Sequence, residues 1–390
     1  MNEKESLVLM VAIDSWVLSS RLRYHGTYVY AQNLIRQFKR MAETDPELRF
    51  CLFTSSRANN DAGQIGSNQG FEIRATNLLA HDRLWRLGGA GLAAARSHAD
   101  LVFAPTASTV PVGRIPFVTT IHDVTPVVTP SHSRRVTFLQ RSFLWWSAKF
   151  SRAIITDSEC SKGDLVKIYG LPESKVSVVY LGYDAAIFNA TPRNLETEAA
   201  LLKKLGVTKP YLLHHGTIQP RKNLKRLIEA YRLMLARNRN LDLDLVLAGP
   251  LGWGYEETVA AANNGAGYRG RTVLTGALPD CDLATLIKGA SLVAVPSLYE
   301  GFCLPMVESM ASGAPTVAAN ASCLPEVSGG VLRYFDPQSV EDIAGCLERV
   351  LESEGTRREL AQKGTSRAAG FSWQRCAEQT LAILRRCGAA

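Results

Sequence analysis

Five side chains have the type and setting for chemistry on an anionic ligand: His122, Arg221, Lys222, Glu300 and Glu308. Glu300 and Glu308 bracket the segment Gly301-Phe302-Cys303-Leu304-Pro305. The apolar run Leu292-Val293-Ala294-Val295 before them is short enough for a buried parallel strand. Pro296 stops that strand, having no amide to give the ladder. Pro305 opens a helix, Met306 to Ser312; Gly313 ends it and Pro315 blocks its continuation. Thr316 to Ala319 reads as the next strand. Both acids therefore fall at the C-terminal edge of a strand, where open α/β sheets bind ligands. Backbone amides over Gly301, Phe302, Cys303 and Leu304, with the helix N-terminus, would hold an anion without a basic side chain. Two carboxyls around such a site suit a phosphate centre with hydroxyls on both sides, the shape of a nucleotide-sugar. As a lone pair, the acids would read as a loop residue and a solvated helix residue. The strand–loop–helix setting favours ligand contact.

Arg221 and Lys222 lie in the loop from Gly216 to Asn223, between a strand, Tyr211 to His215, and a helix, Leu224 to Ala236. Adjacent cations at a helix N-terminus oppose the macrodipole. Ligation of a diphosphate explains them better than simple solvation. His122 follows the strand Phe117 to Ile121. Its imidazole could bond a sugar hydroxyl or a developing charge, with Asp123 setting its tautomer. On chemistry alone a structural, loop-capping histidine is the better reading. Gly26 precedes a helix, Tyr28 to Ala42, after the strand Leu7 to Ile13 and the polar segment Ser19 to Thr27. A ligand edge and an ordinary helix start explain it equally well.

The elements that position these residues fill a chain of 390 residues, long for one domain and comfortable for two. The apolar fraction of 46% is globular. No apolar run reaches the ~18 residues of a spanning helix. The polar start MNEKES runs into a strand, so no secretory signal is expected. The eight cysteines show no metal spacing and read as reduced core residues of a cytoplasmic protein. The net charge of +8 is diffuse. It fits an anionic substrate or membrane surface and carries no nucleic-acid motif.

Further strands are expected at Arg49–Thr54, Leu101–Ala104, Ala153–Thr156 and Arg271–Thr275. Asn59 to Gly70 reads as a loop tip and His81 to Ala95 as a helix. Asp157 or Ser158 would cap a helix, Glu159 to Tyr169, and Asp280 another, to Lys288. Residues 134–152 mix Arg134, Arg135, Arg141, Lys149 and Arg152 with aromatic side chains. Such a helix can lie in a membrane interface or pack on the sheet with its arginines along the rim. Asp242-Leu243-Asp244 has metal-binding D-x-D spacing, but it sits at the N-terminal end of the strand Leu243 to Ala248, away from the ligand edge. Helices near Val340–Glu352, Thr356–Ala368 and Ser372–Arg386 complete the chain.

The stretch Glu300-Gly301-Phe302, Leu304-Pro305, Glu308-Ser309-Met310-Ala311, Gly313 and Pro315 resembles the Glu-x7-Glu signature of retaining family 4 glycosyltransferases with the GT-B fold. That family includes bacterial mannosyltransferases. The resemblance covers nearly the whole chain and is densest at 117–184, 211–224 and 291–327. It implies an α/β architecture of two doubly wound Rossmann-like domains facing a cleft. The domains would be 1–186 on the acceptor side and 187–371 for the nucleotide-sugar, with 372–390 packing back on the first. It implies that Arg221 and Lys222 stabilise a leaving diphosphate in place of a metal, with no cofactor. Glu300 and His122 would hold the donor sugar and Glu308 the ribose. Gly26, Thr217, Leu278 near the nucleobase, and Gly301 to Leu304 would complete the donor contacts. Many members carry glycine where this chain has Cys303, and two or three glycines where it has Gly26. The family packs a helix where 134–152 falls, which favours packing over membrane contact there. The forms HD-x-x-P and LYEGFCLP look most like mannosyltransferases acting on lipid-linked or surface polysaccharide. GDP-mannose therefore leads over a UDP-sugar. A nucleotide-sugar epimerase of similar fold and a non-catalytic nucleotide-sugar-binding subunit are the alternatives.

Overall fold

A computed structural model describes residues 8–18, 26–55, 62–76, 84–129, 134–264 and 270–388. Its strands are β1 (Leu9–Asp14), β2 (Leu48–Ser55), β3 (Phe71–Thr76), β4 (Leu101–Ala104), β5 (Phe117–Thr120), β6 (Ala153–Thr156) and β7 (Val176–Val178), then β8 (Tyr211–His215), β9 (Asp244–Ala248), β10 (Thr272–Gly276), β11 (Leu292–Val295), β12 (Thr316–Ala319) and β13 (Arg333–Phe335). The chain divides into two compact units. The first holds Met1–Val128, Ser133–Gly182 and Trp373–Ala390; the second holds Thr129–His132 and Tyr183–Ser372. The change of unit between Gly182 and Tyr183 lies slightly before residue 186, and the Trp373–Gly388 helix meets the Gly26–Thr44 helix in the first unit.

Each unit has one sheet. The first runs in the order β3-β2-β1-β4-β5-β6-β7 and the second β10-β9-β8-β11-β12-β13. Every pairing between these strands is parallel. Parallel strands covered on both faces are buried along their length and read as largely apolar runs. Accordingly every residue of β4, β5, β8, β9, β11 and β12 is buried. In both sheets the strand order reverses beside the first strand of the unit, between β1 and β4 and between β8 and β11. Loops leaving adjacent strands diverge at such a reversal and leave a crevice at the carboxyl edge.

Several expected elements change extent. The helix expected from His81 is broken: Trp85–Gly89 forms one wide turn with Gly88 at φ 145°, then Ala90–Ala95 is helical. Residues 81–83, like 59–61 of the expected loop and 19–25 before Gly26, lie outside the described residues. Gly26 is itself the first residue of its helix. Ser158, not Asp157, caps the Glu159–Tyr169 helix, accepting from the Ser161 amide at 3.1 Å. Asp280 is the first residue of its helix rather than its cap. The eight cysteines are all free thiols. Among the described residues no helix is long and apolar enough to cross a membrane.

Candidate active site

The second unit brings together Arg221, Lys222 and Glu300, on the loops that leave β8 and β11, and Glu308, on the Leu304–Ala311 helix that follows, at its switch point. After His215 the chain passes Gly216 and Thr217 into a short turn, Pro220–Lys222. Gly249, at the end of β9, comes so close that a Cβ there would sit 2.0 Å from the Gly216 carbonyl oxygen, so only glycine fits. Asn223 then takes the left-handed conformation, φ 59°, which asparagine tolerates. Its buried amide donates to the Pro296 carbonyl at 3.2 Å and the Pro337 carbonyl at 2.7 Å. The Leu298 amide donates to the Arg221 carbonyl at 2.8 Å. These bonds fasten the loop of the two cations to the loop of Glu300.

The Glu300 carboxylate bridges both cations. Arg221 Nη1 lies 2.5 Å from Glu300 Oε2 and Lys222 Nζ lies 2.7 Å from Glu300 Oε1. Arg221 also donates to the Tyr299 carbonyl at 3.0 Å. Glu300 and Lys222 are buried; Arg221 is 19% exposed. Burial pushes the Glu300 carboxyl up, but Arg221 and then Lys222 outweigh it and hold it at about 2. The backbone of Glu300 is clasped by Ser322, whose hydroxyl donates to the Glu300 carbonyl at 2.6 Å. The family resemblance implies a donor-sugar contact for Glu300. In the structure it is first the counter-ion of the two cations expected to take a diphosphate.

The Leu304–Ala311 helix starts two residues earlier than expected and has no side-chain cap. Cys303 precedes it at φ 73°. A non-glycine residue is strained there, which is the conformation that glycine would relieve. Its thiol is buried and pushed up to about 12 by that burial, and it is no nucleophile at neutral pH. Gly301, Phe302 and Leu304 are buried too. Phe302 packs edge-on against Phe371, centroids 5.4 Å apart, so any ligand contact here falls to the backbone. Leu278 is part-buried in the loop between β10 and the Asp280–Gly289 helix.

Glu308 projects from this helix, 17% exposed, with Oε2 3.8 Å from His215 Nδ1. Burial, and then the nearby Asp280 carboxylate, push it up to about 8 against the opposing pull of Lys222. The two acids are thus driven in opposite directions, Glu308 toward its protonated form and Glu300 toward its ionised form. Sequence reasoning missed His214 and His215 beneath these acids. His214 Nδ1 bonds the Ala294 carbonyl at 3.0 Å, and His215 Nε2 meets the Ser309 hydroxyl at 2.9 Å. Burial first lowers both, to about 4 and about 3, so both rings are neutral wedges under the site. The signal was present as two polar residues ending an otherwise apolar strand.

In the first unit, His122 leaves β5 at the same kind of edge. Its Nδ1 lies 2.7 Å from Asp157 Oδ2 and its Nε2 lies 3.1 Å from the Pro105 carbonyl oxygen. Tyr30 stands edge-on to the ring at 4.7 Å. Burial pulls His122 down, but the charge and hydrogen bond of Asp157 outweigh it, so its affinity for a proton is raised. Both neighbours are acceptors, and the doubly protonated ring satisfies both. Asp123 does not set the tautomer; its Oδ1 accepts from the Thr125 amide at 2.8 Å. Asp157, at the end of β6, does. A sugar hydroxyl at Nε2 would have to replace Pro105.

Asp242 and Asp244 lie at the start of β9, as expected, and are ion-paired to Lys209 at 2.6 Å and Arg271 at 3.0 Å. Among the described residues no group of three or more His, Cys, Asp or Glu side chains is set to hold a metal ion.

Two parallel, doubly wound units, with Arg221 and Lys222 paired to Glu300 at the switch point of the second, match the GT-B class. Residues 24–187 match the family model for Glycosyltransferase Family 4, and residues 200–367 the model for Glycosyl transferases group 1. The chain is 30% identical over 266 residues to O-antigen chain mannosyltransferase B of Escherichia coli, covering 68% of each protein. It is 31% identical over 237 residues to MMP alpha-(1->4)-mannosyltransferase of Mycolicibacterium hassiacum, covering 60% of this chain and 54% of that one. It matches 33% of the length of the serotype-specific mannosyltransferase WbdA of Escherichia coli, at 29% identity over 271 residues, 68% of this chain. Among solved structures, Anabaena HepE in complex with UDP and glucose superposes with a TM-score of 0.73 at 20% identity, covering 97% of this chain and 100% of that one. WaaG, a glycosyltransferase involved in lipopolysaccharide biosynthesis, gives 0.69 at 16% identity, covering 97% and 99%. The chain belongs to the group 1, family 4 glycosyltransferases, and it is an enzyme of that class.

Proposed function

We propose that this enzyme transfers mannose from GDP-mannose, with retention at the anomeric carbon, to a lipid-linked or polysaccharide acceptor in cell-surface glycan synthesis. The observation that carries the reading is the Arg221–Glu300–Lys222 constellation at the switch point of the second sheet. Two fixed cations beside a helix N-terminus offer a diphosphate leaving group charge stabilisation where it develops. They take the place of a metal, so the reaction needs none. As the diphosphate arrives, its oxygens compete with Glu300 for Arg221 and Lys222. The released carboxylate is then available to the donor sugar. Glu308 faces the ribose hydroxyls. His122, whose affinity for a proton Asp157 raises, is the residue of the first unit that would contact the donor sugar.

Mannose is favoured because relatives at 30% and 31% identity are named mannosyltransferases, one for O-antigen, although others at 34% and 35% are named D-inositol 3-phosphate glycosyltransferases. GDP is favoured over UDP with it, although a solved neighbour of this fold holds UDP and glucose. A surface-glycan acceptor would place the enzyme at the cytoplasmic face of a membrane. Thermal shift across nucleoside diphosphates tests the donor: GDP should raise the melting temperature more than UDP at equal concentration. A larger shift with UDP would replace GDP-mannose by a UDP-sugar.

A further inference from the structure

His215 is the last residue of β8 and is buried beside Glu308. One side of its ring is fixed by hydrogen bonds. Nε2 lies 2.9 Å from the buried Ser309 hydroxyl, and that hydroxyl donates to the Pro305 carbonyl, one helical turn back, at 2.9 Å. A hydroxyl has one proton to give. Ser309 spends it on Pro305, so toward His215 it only accepts, and Nε2 carries the ring proton. Burial, and then His214 and Lys222, keep the imidazole neutral. A neutral imidazole has a single N–H, which leaves a lone pair on Nδ1.

That lone pair faces Glu308, whose Oε2 lies 3.8 Å away. It repels an ionised oxygen and attracts a protonated one. Among the described residues, the other charged and titratable groups facing the pair are Asp280, Lys222 and His214. Asp280, at the start of the Asp280–Gly289 helix, opposes ionisation of Glu308, and Lys222, from the loop after β8, favours it. His214 is itself neutral, and its Nδ1 lies 3.0 Å from the Ala294 carbonyl oxygen. A carbonyl only accepts, so His214 carries its proton on Nδ1, the opposite tautomer to its neighbour. We propose that His215 is the positioning residue of Glu308: with its proton held on Nε2 by Ser309, it presents the Nδ1 lone pair to the carboxyl and favours the protonated acid until a nucleoside diphosphate binds. The inference rests on the reading that Glu308 takes the ribose hydroxyls, and it names what sets the charge of that acid. Binding of the nucleotide then draws a proton off Glu308, and the lone pair of His215 resists it.

NMR of the full-length protein labelled with ring-nitrogen histidine tests the tautomer. Two-bond proton–nitrogen correlations separate a ring protonated on Nε2 from one protonated on Nδ1 and from the imidazolium. His215, identified by the loss of its signals in His215→Leu, should be protonated on Nε2 alone between about pH 5 and 8. Ser309→Ala gives a second identification, since its hydroxyl bonds that ring. A His215 protonated on Nδ1, or on both nitrogens, would donate to an ionised Glu308 and overturn the proposal. No nucleotide enters this measurement, so its failure is separate from failure of the ribose reading. GDP binding followed against pH by calorimetry is the second arm. His215→Leu keeps an apolar filling and removes the lone pair. The midpoint at which binding strengthens with pH should fall by about one unit, tenfold in the protonation equilibrium. A midpoint that stays in place while binding weakens equally at every pH would reduce His215 to a packing residue and overturn the proposal. Wild-type GDP binding that is independent of pH would refute the ribose reading of Glu308, and the proposal with it.

Discussion

Replacing Glu300 by Gln removes the carboxylate charge that bridges Arg221 and Lys222, while keeping the side-chain shape. The carboxyl is held at about 2, against 4.5 in the unfolded chain. A depressed acid contributes stability that is present above the unfolded value and lost as pH falls toward the folded one. The displacement corresponds to about 3 kcal/mol at neutral pH. The cost of removing one partner of a buried pair has the same scale, ~3–5 kcal/mol. For a unit of this size such a loss lowers the melting temperature by roughly 6–12 °C. The missing anion can be supplied by ligand. A saturating nucleoside diphosphate should therefore raise the melting temperature of Glu300→Gln more than that of wild type, and bind it more tightly, while turnover falls. Differential scanning calorimetry with and without GDP reads both effects. Wild type should also lose more stability than the variant between pH 4.5 and about 2. A variant melting within a degree of wild type, or gaining no more from GDP, would refute the counter-ion role.

Arg221→Ala should lower turnover by roughly two to three orders of magnitude, the scale of one lost transition-state charge donor, in a steady-state transfer assay. Glu308, held at about 8, should make nucleoside diphosphate binding strengthen as pH rises through about 8, since only the ionised form accepts both ribose hydroxyls. Calorimetry in buffers of different ionisation enthalpy should show proton release at neutral pH, and Glu308→Gln should abolish it. Asp157→Asn should bring the His122 titration down, because Asp157 supplies the upward pull. NMR titration of the His122 ring and the matching limb of the pH–rate profile should move together, and an unmoved titration would remove Asp157 as its positioning residue.

The segment from β11 to β12 was readable because its signals are local. Pro296, Pro305, Gly313 and Pro315 punctuate an apolar strand and a helix within one short stretch. Arg221 and Lys222 were readable because two cations at a helix start are electrostatically out of place. The pairing of those cations with Glu300 was not readable, because it joins loops far apart in the chain. The His122 partner was missed for the same reason: Asp123 is adjacent, but Asp157, 35 residues on, lies on the neighbouring strand and reaches the ring. The helix expected over 81–95 followed apolar spacing and ignored Gly88, whose φ of 145° breaks it. Strand β3 was absent from the sequence reading because its half-exposed edge alternates too weakly to show a period. The exposed aromatic face of the Arg134–Phe150 helix could be suspected from composition, but which of its rings are buried was decided by tertiary packing.

The most direct test is transfer itself. The purified enzyme is incubated with GDP-mannose labelled in the sugar, an extract of lipid-linked glycan acceptor and an excess of chelator, and the products are separated. Labelled mannose joined to the acceptor in the same anomeric configuration as in the donor, with one GDP released for each, is the predicted result. GDP-mannose recovered unchanged, a sugar epimerised on its nucleotide, or transfer that returns only when a divalent metal is added would contradict it.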